Sequence, residues 1–486
     1  MEEIGLQDVF VTSGVPIYTF VQPKEYNRLI LSLKTCGRGI VIEGPSGIGK
    51  TTAVLKAIEE IGLSAKVTLL SARKASDREI INNLPSLMPF DVIIVDDFQR
   101  LDANEKKSLS DLLKIMADES ISHSKLIVIG INQAGQSLID CGRDLATRID
   151  IIQFEANDNE QVKSLITKGE HILNIEIPFK DAIVNAAHGS FYIAQMLSQK
   201  SCLADNVLAS RKEKKVLNIS FEKVKEIATR ELARKFHRDI LLFARGPKLR
   251  REGRAPYFHI VKWLAQSNQF SINLELYADH YPEQKAGVSQ LLLKGFLAKY
   301  IAENENLQNL FALSDSILAI QDPQLSFYLN CIDWDELFVE VGYVKKAENA
   351  AYDFALSFAG EDRLIAEMLF SKLTERETVV FYDKDKQHEI LGADIEEYLT
   401  PIYESNARFI ICILGTKYPE KIWTQFEADH FKSRIPQRQV IPILVNSFRL
   451  SPFDSIEKIG RYDIDSTKGD LSNQLDTLAD LLVKKL

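Results

Sequence analysis

The segment Gly44-Pro45-Ser46-Gly47-Ile48-Gly49-Lys50-Thr51-Thr52 constrains this chain more than any other. An apolar run, Gly39-Ile40-Val41-Ile42-Glu43, precedes it, and a helix-forming run, Thr52-Ala53-Val54-Leu55-Lys56-Ala57, follows it. Strand, glycine-rich turn and helix in that order aim a row of backbone N–H groups from the positive end of a helix dipole, which makes a cradle for phosphate. Glycines at 44, 47 and 49 keep Cβ atoms out of that cradle. Lys50 is then expected to reach the β- and γ-phosphates of ATP, with the Thr51 hydroxyl on Mg²⁺. The competing reading is a plain glycine turn before a helix, and the strand in front of it argues against that.

A second element supports the phosphate reading. Asp91-Val92-Ile93-Ile94-Val95-Asp96-Asp97 is an apolar strand ending in carboxylates. Asp96 is expected in the Mg²⁺ shell and Asp97 beside the attacking water. Apolar runs at residues 39–44, 66–71, 92–96, 126–131 and 150–154 alternate with helical patterns. Strands apolar throughout and separated by helices predict a parallel sheet covered on both faces.

The chain has 486 residues, too many for one core, and length alone suggests about three or four domains. Its charge sum, 59 − 68 = −9, argues against coating nucleic acid with the whole surface but leaves room for a local basic patch. The five cysteines are scattered without metal-ligand spacing, as in a reducing compartment. No apolar run approaches the roughly 20 residues of a membrane span. Met1-Glu2-Glu3 lacks a secretory pattern, and the expected location is the cytoplasm.

Pattern shifts divide the chain into 1–155, a phosphate-binding domain with its N-terminal segment; 156–238, a helical lid; 239–345, a winged helix; and 350–486, a second alternating region. The winged helix is expected from helices at 256–267 and 285–297 followed by strands at 296–301 and 310–313. Residues 211–254 hold fifteen Lys or Arg against six Asp or Glu, which reads either as a phosphate-contacting surface for nucleic acid or as a solvated helix face.

The boxes Gly44–Thr51 and Val92–Asp97, with Phe98-Gln99-Arg100-Leu101, resemble the Walker A and B boxes of AAA-like STAND ATPases. The resemblance implies a sensor role for Asn132 at the end of the fourth strand and a phosphate-sensing arginine at Arg148; a strand cap and a surface ion pair are the alternatives. Ala187-His188-Gly189-Ser190-Phe191 resembles the lid turn of these proteins. Tyr18–Val21 is expected either over adenine or stapled to the sheet.

From Tyr352 the chain resembles a TIR domain, on Tyr352-Asp353-Phe354-Ala355-Leu356-Ser357-Phe358-Ala359-Gly360-Glu361-Asp362-Arg363, on Phe381-Tyr382-Asp383 with Gly392-Ala393-Asp394-Ile395, and on Trp423-Thr424-Gln425-Phe426-Glu427. A flavodoxin-like fold follows. Enzymatic members place their catalytic glutamate where Glu427 stands, and the same resemblance implies NAD⁺ contacts from Phe358, Ala359, Arg363, Asp383 and Trp423. Gly415 stands where many members have serine. The whole chain therefore reads as α/β and multidomain: a P-loop NTPase parallel sheet, a helical lid, a winged helix and a TIR domain.

The expected function is an ATP-regulated NAD⁺ hydrolase switched on by homo-oligomerisation through its ATPase and TIR domains, of the kind used in prokaryotic anti-phage defence. Its trigger would be a phage component or an accessory protein, without membrane attachment. The other two readings are a non-enzymatic TIR scaffold and a DNA-dependent ATPase.

Overall fold

The computed structural model describes the chain apart from residues 1–2, 120, 122–123, 132–137, 139–142, 249–253, 344–349, 386–390, 392–394, 419–433, 447–459 and 468–469, and the side chains of Ala65, Arg143, Ile395 and Glu396. It forms two compact units. The first comprises residues 1–240, 262–272 and 304–332, the second residues 241–261, 273–303 and 333–486. Residues of the expected winged-helix segment fall in both.

The first unit holds the strands β1 (Gly39–Glu43), β2 (Val67–Ser71), β3 (Val92–Asp96), β4 (Lys125–Ile129) and β5 (Ile149–Gln153). All pair in parallel, in the order β2-β3-β4-β1-β5. Alternate residues feed opposite faces. Val41, Ile93, Val95 and Val128 pack with Leu109, Leu112, Leu113 and Met116 on one side. Ile40, Ile42, Ile94, Ile127 and Ile129 pack with Leu29, Leu33, Ala53, Val54 and Ala57 on the other. Each such aliphatic side chain contributes about 1.5–3 kcal/mol by leaving water, so both faces must be covered. Only β4 lies between β1 and β3, so their carboxyl ends emerge one strand apart on the same edge of the sheet, and the phosphate-cradling turn meets the two carboxylates there.

The lid helices are Asn159–Leu173, Lys180–Ala187 and Phe191–Ala204. Asp158 and Gln161 start the first with a capping box, and Ser190 caps the third by accepting from the Ile193 N–H. Two short strands, β6 (Ile175–Glu176) and β7 (Lys215–Val216), pair in parallel before the long helix Phe221–Arg245.

The segment 256–320 runs helix Pro256–Gln266, strand β8 (Ser271–Asn273), helices Leu274–Asp279, Pro282–Leu293, Phe296–Ala302 and Glu305–Leu310, then strands β9 (Phe311–Ser314) and β10 (Ile317–Ile320). β9 and β10 form an antiparallel hairpin in a sheet of order β8-β10-β9. The expected strand at 296–301 is a helix. Leu297, Tyr300 and Ile301 are its buried residues, at helical spacing. The hairpin sits one element later, and Asp315 takes the left-handed backbone at its turn (φ 50°).

In the second unit, β11 (Tyr352–Phe358), β12 (Val380–Phe381), β13 (Ala407–Leu414), β14 (Val440–Val445) and β15 (Tyr462–Ile464) form a parallel sheet of order β12-β11-β13-β14-β15. This is the flavodoxin-like order. Helices Arg363–Glu375 and Leu471–Val483 help cover one face through Ile365, Ala366, Leu369, Leu475 and Leu478, and Tyr403, Ile402 and Leu399 pack on the other.

Candidate functional site

The first unit opens a cavity of ≈ 390 Å³ over the carboxyl ends of β1, β3 and β4, lined by Ser46, Gly47, Gly49, Lys50, Thr51 and Thr52 together with Asp96 and Asp97. Gly44, Gly47 and Gly49 have φ of 145°, 79° and 97°, backbone that side-chain-bearing residues avoid. Lys50 begins the helix Lys50–Glu60. Its Nζ turns back onto the Gly44 carbonyl at 2.7 Å and the Pro45 carbonyl at 2.6 Å. Burial lowers its pKa to about 8, against the opposing pull of Asp96 and Asp97. A buried cation hydrogen-bonded to backbone carbonyls, next to a cavity, suits an incoming polyanion.

Thr51 Oγ1 donates to Asp96 Oδ2 at 2.8 Å. Burial raises the Asp96 pKa, and the neighbouring Asp97 adds to it, so this carboxylate gains from a divalent cation. A hydroxyl and a carboxylate side by side are the donors Mg²⁺ takes alongside phosphate and water. Asp97 has left-handed backbone (φ 61°) and is gripped by Ser71 Oγ at 2.9 Å and Arg73 Nη2 at 2.8 Å.

Several contributors were not singled out in the sequence. Arg73 lines the cavity, as do Val11, Thr12, Ser13, Gly14 and Pro16. That stretch stands where Tyr18–Val21 was one expectation; Phe20 instead packs on Tyr26 with ring centroids 5.8 Å apart, the stapling alternative. Phe191, Tyr192 and Gln195 enter from the lid, Ser190 Oγ donates to the Gly47 carbonyl at 3.1 Å, and Asn157 Nδ2 donates to the Ile48 carbonyl at 3.1 Å. The Gln99 side-chain Oε1 accepts from the Ile131 N–H at 3.2 Å, fixing the chain just after β4. Arg148 does not line this cavity: its Nε meets Asp118 at 2.6 Å and its Nη1 meets Asp144 at 3.3 Å. His188 takes the left-handed turn after the helix Lys180–Ala187 and is not among the cavity residues either. Asn132 lies outside the described residues.

In the second unit the strand order reverses between β11 and β13. A doubly wound sheet leaves a crevice at that point, beyond the carboxyl ends of the two strands. Phe358 ends β11, Ala359 follows it, and Gly415 follows β13. The Arg363 guanidinium lies over the Phe358 ring, 5.2 Å from its centroid, and reaches Asp383 at 3.1 and 3.3 Å. Burial works against that guanidinium, but Asp383 outweighs it and holds the arginine above its ordinary pKa. Asp362 stands directly over Gly415: a Cβ at position 415 would lie 2.2 Å from its Oδ2. That oxygen is buried without a hydrogen-bond partner among the described residues, and burial, then Glu361, raises the Asp362 pKa. Sequence reasoning noted the missing serine at 415; the structure adds that an acid fills its space. Phe358, Ala359, Arg363 and Asp383 therefore come together. Trp423, Glu427 and the loop 392–394 lie outside the described residues. Among the described residues no group of His, Cys, Asp and Glu could by itself hold a metal ion, and no helix is long and apolar enough to cross a membrane.

Comparison with known proteins matches each region separately. Residues 40–154 match the ATPase family associated with various cellular activities (AAA), and residues 354–481 match the TIR domain family. A 3′ cyclic ADP-D-ribose synthase of Aquimarina amphilecti is 35% identical over 89 residues, 18% of this chain and 27% of that protein. The Holliday junction branch migration subunit RuvB of Synechococcus sp. (strain CC9902) is 36% identical over 70 residues, 13% of this chain and 20% of that protein. The chain thus spans about a quarter or less of these relatives' length. Among solved structures, the Aeropyrum pernix ORC2 protein aligns at 15% identity and a TM-score of 0.38, covering 69% of this chain and 98% of that one. The Thermotoga maritima RuvB motor aligns at 17% identity and 0.36, covering 68% and 100%.

Proposed function

We propose, from a chain that joins an AAA-type ATPase domain at residues 40–154 to a TIR domain at residues 354–481, that nucleotide bound in the first controls cleavage of NAD⁺ in the second. The observation that carries this is the crevice at the strand-order reversal of the TIR sheet. It gathers an aromatic face (Phe358), a cation (Arg363) and carboxylates (Asp362, Asp383) where doubly wound sheets bind nucleotides. The similarity to a 3′ cyclic ADP-D-ribose synthase supports the same substrate class.

The chemistry asks little of the protein. The bond from the ribose C1′ to the nicotinamide nitrogen breaks, and its electron pair neutralises the pyridinium, so no acid is needed for the leaving group. The ribose becomes oxocarbenium-like and needs a carboxylate nearby, the role assigned here to Glu427. Water then adds at C1′ and releases a proton, giving ADP-ribose; attack by a hydroxyl of the same molecule gives a cyclic product instead. Phe358 offers a stacking face and Arg363 a counter-charge for the pyrophosphate.

ATP would act with Mg²⁺ held by Thr51 and Asp96. It shifts the chain toward an assembled state only as far as it binds that state more tightly. Assembly as a homo-oligomer, in answer to a phage component or an accessory protein, would make this a cytoplasmic defence enzyme that drains NAD⁺. The test is purified full chain with NAD⁺, with and without ATP and Mg²⁺, followed for nicotinamide. Glu427→Gln should abolish release while leaving ATP binding intact; unchanged release in that variant overturns the assignment.

A further inference from the structure

The NAD⁺ crevice occupies the carboxyl ends of the TIR strands. Their amino ends are held too, by other parts of the second unit. The Arg254 guanidinium, with 12% of its side chain exposed, lies 2.8 Å from Asp353 Oδ2, whose side chain is 8% exposed. The same carboxylate oxygen accepts the Val379 N–H at 2.8 Å, so it ties β11 to the start of β12. Arg254 Nη1 also donates to the Ala351 carbonyl. Gln290 Nε2, on the helix Pro282–Leu293, donates to the Thr378 carbonyl at 2.8 Å. A cavity of ≈ 40 Å³ separates the two sides; Arg245 and Lys248 line it from one and Glu377 from the other. Behind it, Tyr300 Oη donates to the Leu242 carbonyl at 2.7 Å and Tyr343 Oη to the Ala244 carbonyl at 3.0 Å, fixing the backbone that carries Arg245.

The pattern has two consequences. The basic cluster that sequence alone offers to nucleic acid is turned, at Arg254, toward a carboxylate of the same chain. Pro282–Leu293 is the second helix of a helix-turn-helix pair, the one that enters the groove in DNA readers; here its Gln290 is spent on the TIR backbone. A buried ion pair is poor glue, because desolvation consumes its Coulomb energy. Removing one partner nevertheless costs heavily, and such pairs serve best as register or switch devices.

We propose that the Arg254–Asp353 pair and the Gln290–Thr378 bond form a latch that holds the TIR domain by its amino-terminal strand ends and limits its approach to a second TIR copy, and that NAD⁺ cleavage follows release of this latch. The proposal rests on the NAD⁺ reading above. It places control five residues of strand, roughly 17 Å, from Phe358, so latch variants leave the crevice residues in place.

The experiment uses the full chain with Arg254→Glu and, independently, Gln290→Glu, which sets a carboxylate against the Thr378 carbonyl. Hydrogen–deuterium exchange of peptides spanning 351–358 and 377–381 is read without ATP, alongside nicotinamide release without and with ATP. The expected result is faster exchange in both peptides and, without ATP, about tenfold or more NAD⁺ loss relative to the parent chain. Unchanged exchange overturns the latch. Faster exchange with release still dependent on ATP, as in the parent, overturns its control of the enzyme. Absence of release from parent and variants alike, with ATP or without, overturns the NAD⁺ reading and the controlling role together, while exchange alone still decides whether the contact holds the domain.

Discussion

Thr51 Oγ1 donates to Asp96 Oδ2 across 2.8 Å, joining the start of the helix Lys50–Glu60 to the end of β3. The pair predisposes both oxygens toward one cation. Thr51→Ala and Asp96→Asn are therefore expected to weaken Mg²⁺·ATP binding by about tenfold or more, since each removes a ligand worth at least ~1.4 kcal/mol. Binding measured in EDTA should change little. Titration with a fluorescent ATP analogue in both conditions checks this; equal loss in EDTA would mean that the pair only supports the fold.

Lys50 makes nucleotide binding pH-dependent. Its pKa falls from 10.5 to about 8 because burial penalises the charge. A base depressed in the folded state costs stability while it is protonated, and that cost is relieved as pH rises from about 8 toward 10.5. The free protein should therefore gain stability across that window. A bound triphosphate restores the charge, so binding above pH 8 must take up a proton, and affinity should fall as pH climbs from 8 to 10. Calorimetry in buffers of different ionisation enthalpy reads the uptake directly. Lys50→Met should abolish both the pH slope and most of the affinity.

Gly47 separates strain from clash. With φ +79°, a Cβ there would lie 2.6 Å from the Pro323 Cβ and 2.9 Å from Ser190 Oγ. Gly14 has φ +88° and nothing within 4 Å of such a Cβ. Gly14→Ala should cost only the backbone term, about 1 kcal/mol, whereas Gly47→Ala should cost about 2–4 kcal/mol and lower the first thermal transition clearly further. Similar shifts in the two variants would show that Pro323 yields freely.

The glycines at 44, 47 and 49 were legible because their message is local: spacing, left-handed backbone and flanking elements all sit within a few residues. The same holds for β3, with its terminal carboxylates, whose bounds at 92–96 the sequence reading matched. Arg73 and the stretch from Val11 to Pro16 were not legible, because they reach the cavity through tertiary packing that leaves no periodic trace; the same holds for Pro323, which abuts Gly47. The helix at 296–302 was misread although its signal was present. Gly295 (φ +67°) ends the preceding helix by donating to the Leu292 carbonyl, and Leu297, Tyr300 and Ile301 then recur at three and four residues. A short apolar run without that bookkeeping fits a strand equally well. Arg254 was seen as basic, but its carboxylate partner stands 99 residues later in the chain, beyond any local pattern.

Arg363 supplies the last prediction. It opens the 13-residue helix Arg363–Glu375, whose amino end, with its positive dipole, lies next to the strand-end crevice. Its pair with Asp383 is 41% and 44% exposed, and surface pairs contribute at most about 1 kcal/mol, so Arg363→Ala should shift thermal stability only slightly. Its larger effect should fall on the substrate. A guanidinium beside a pyrophosphate binds ground and transition states alike, and losing such an interaction raises KM without changing kcat. Arg363→Ala is expected to raise the KM for NAD⁺ about fivefold while kcat stays within about twofold, and Arg363→Lys should recover part of the loss. A fall in kcat at constant KM would instead mean that the guanidinium acts on the departing nicotinamide, from its position over the Phe358 ring.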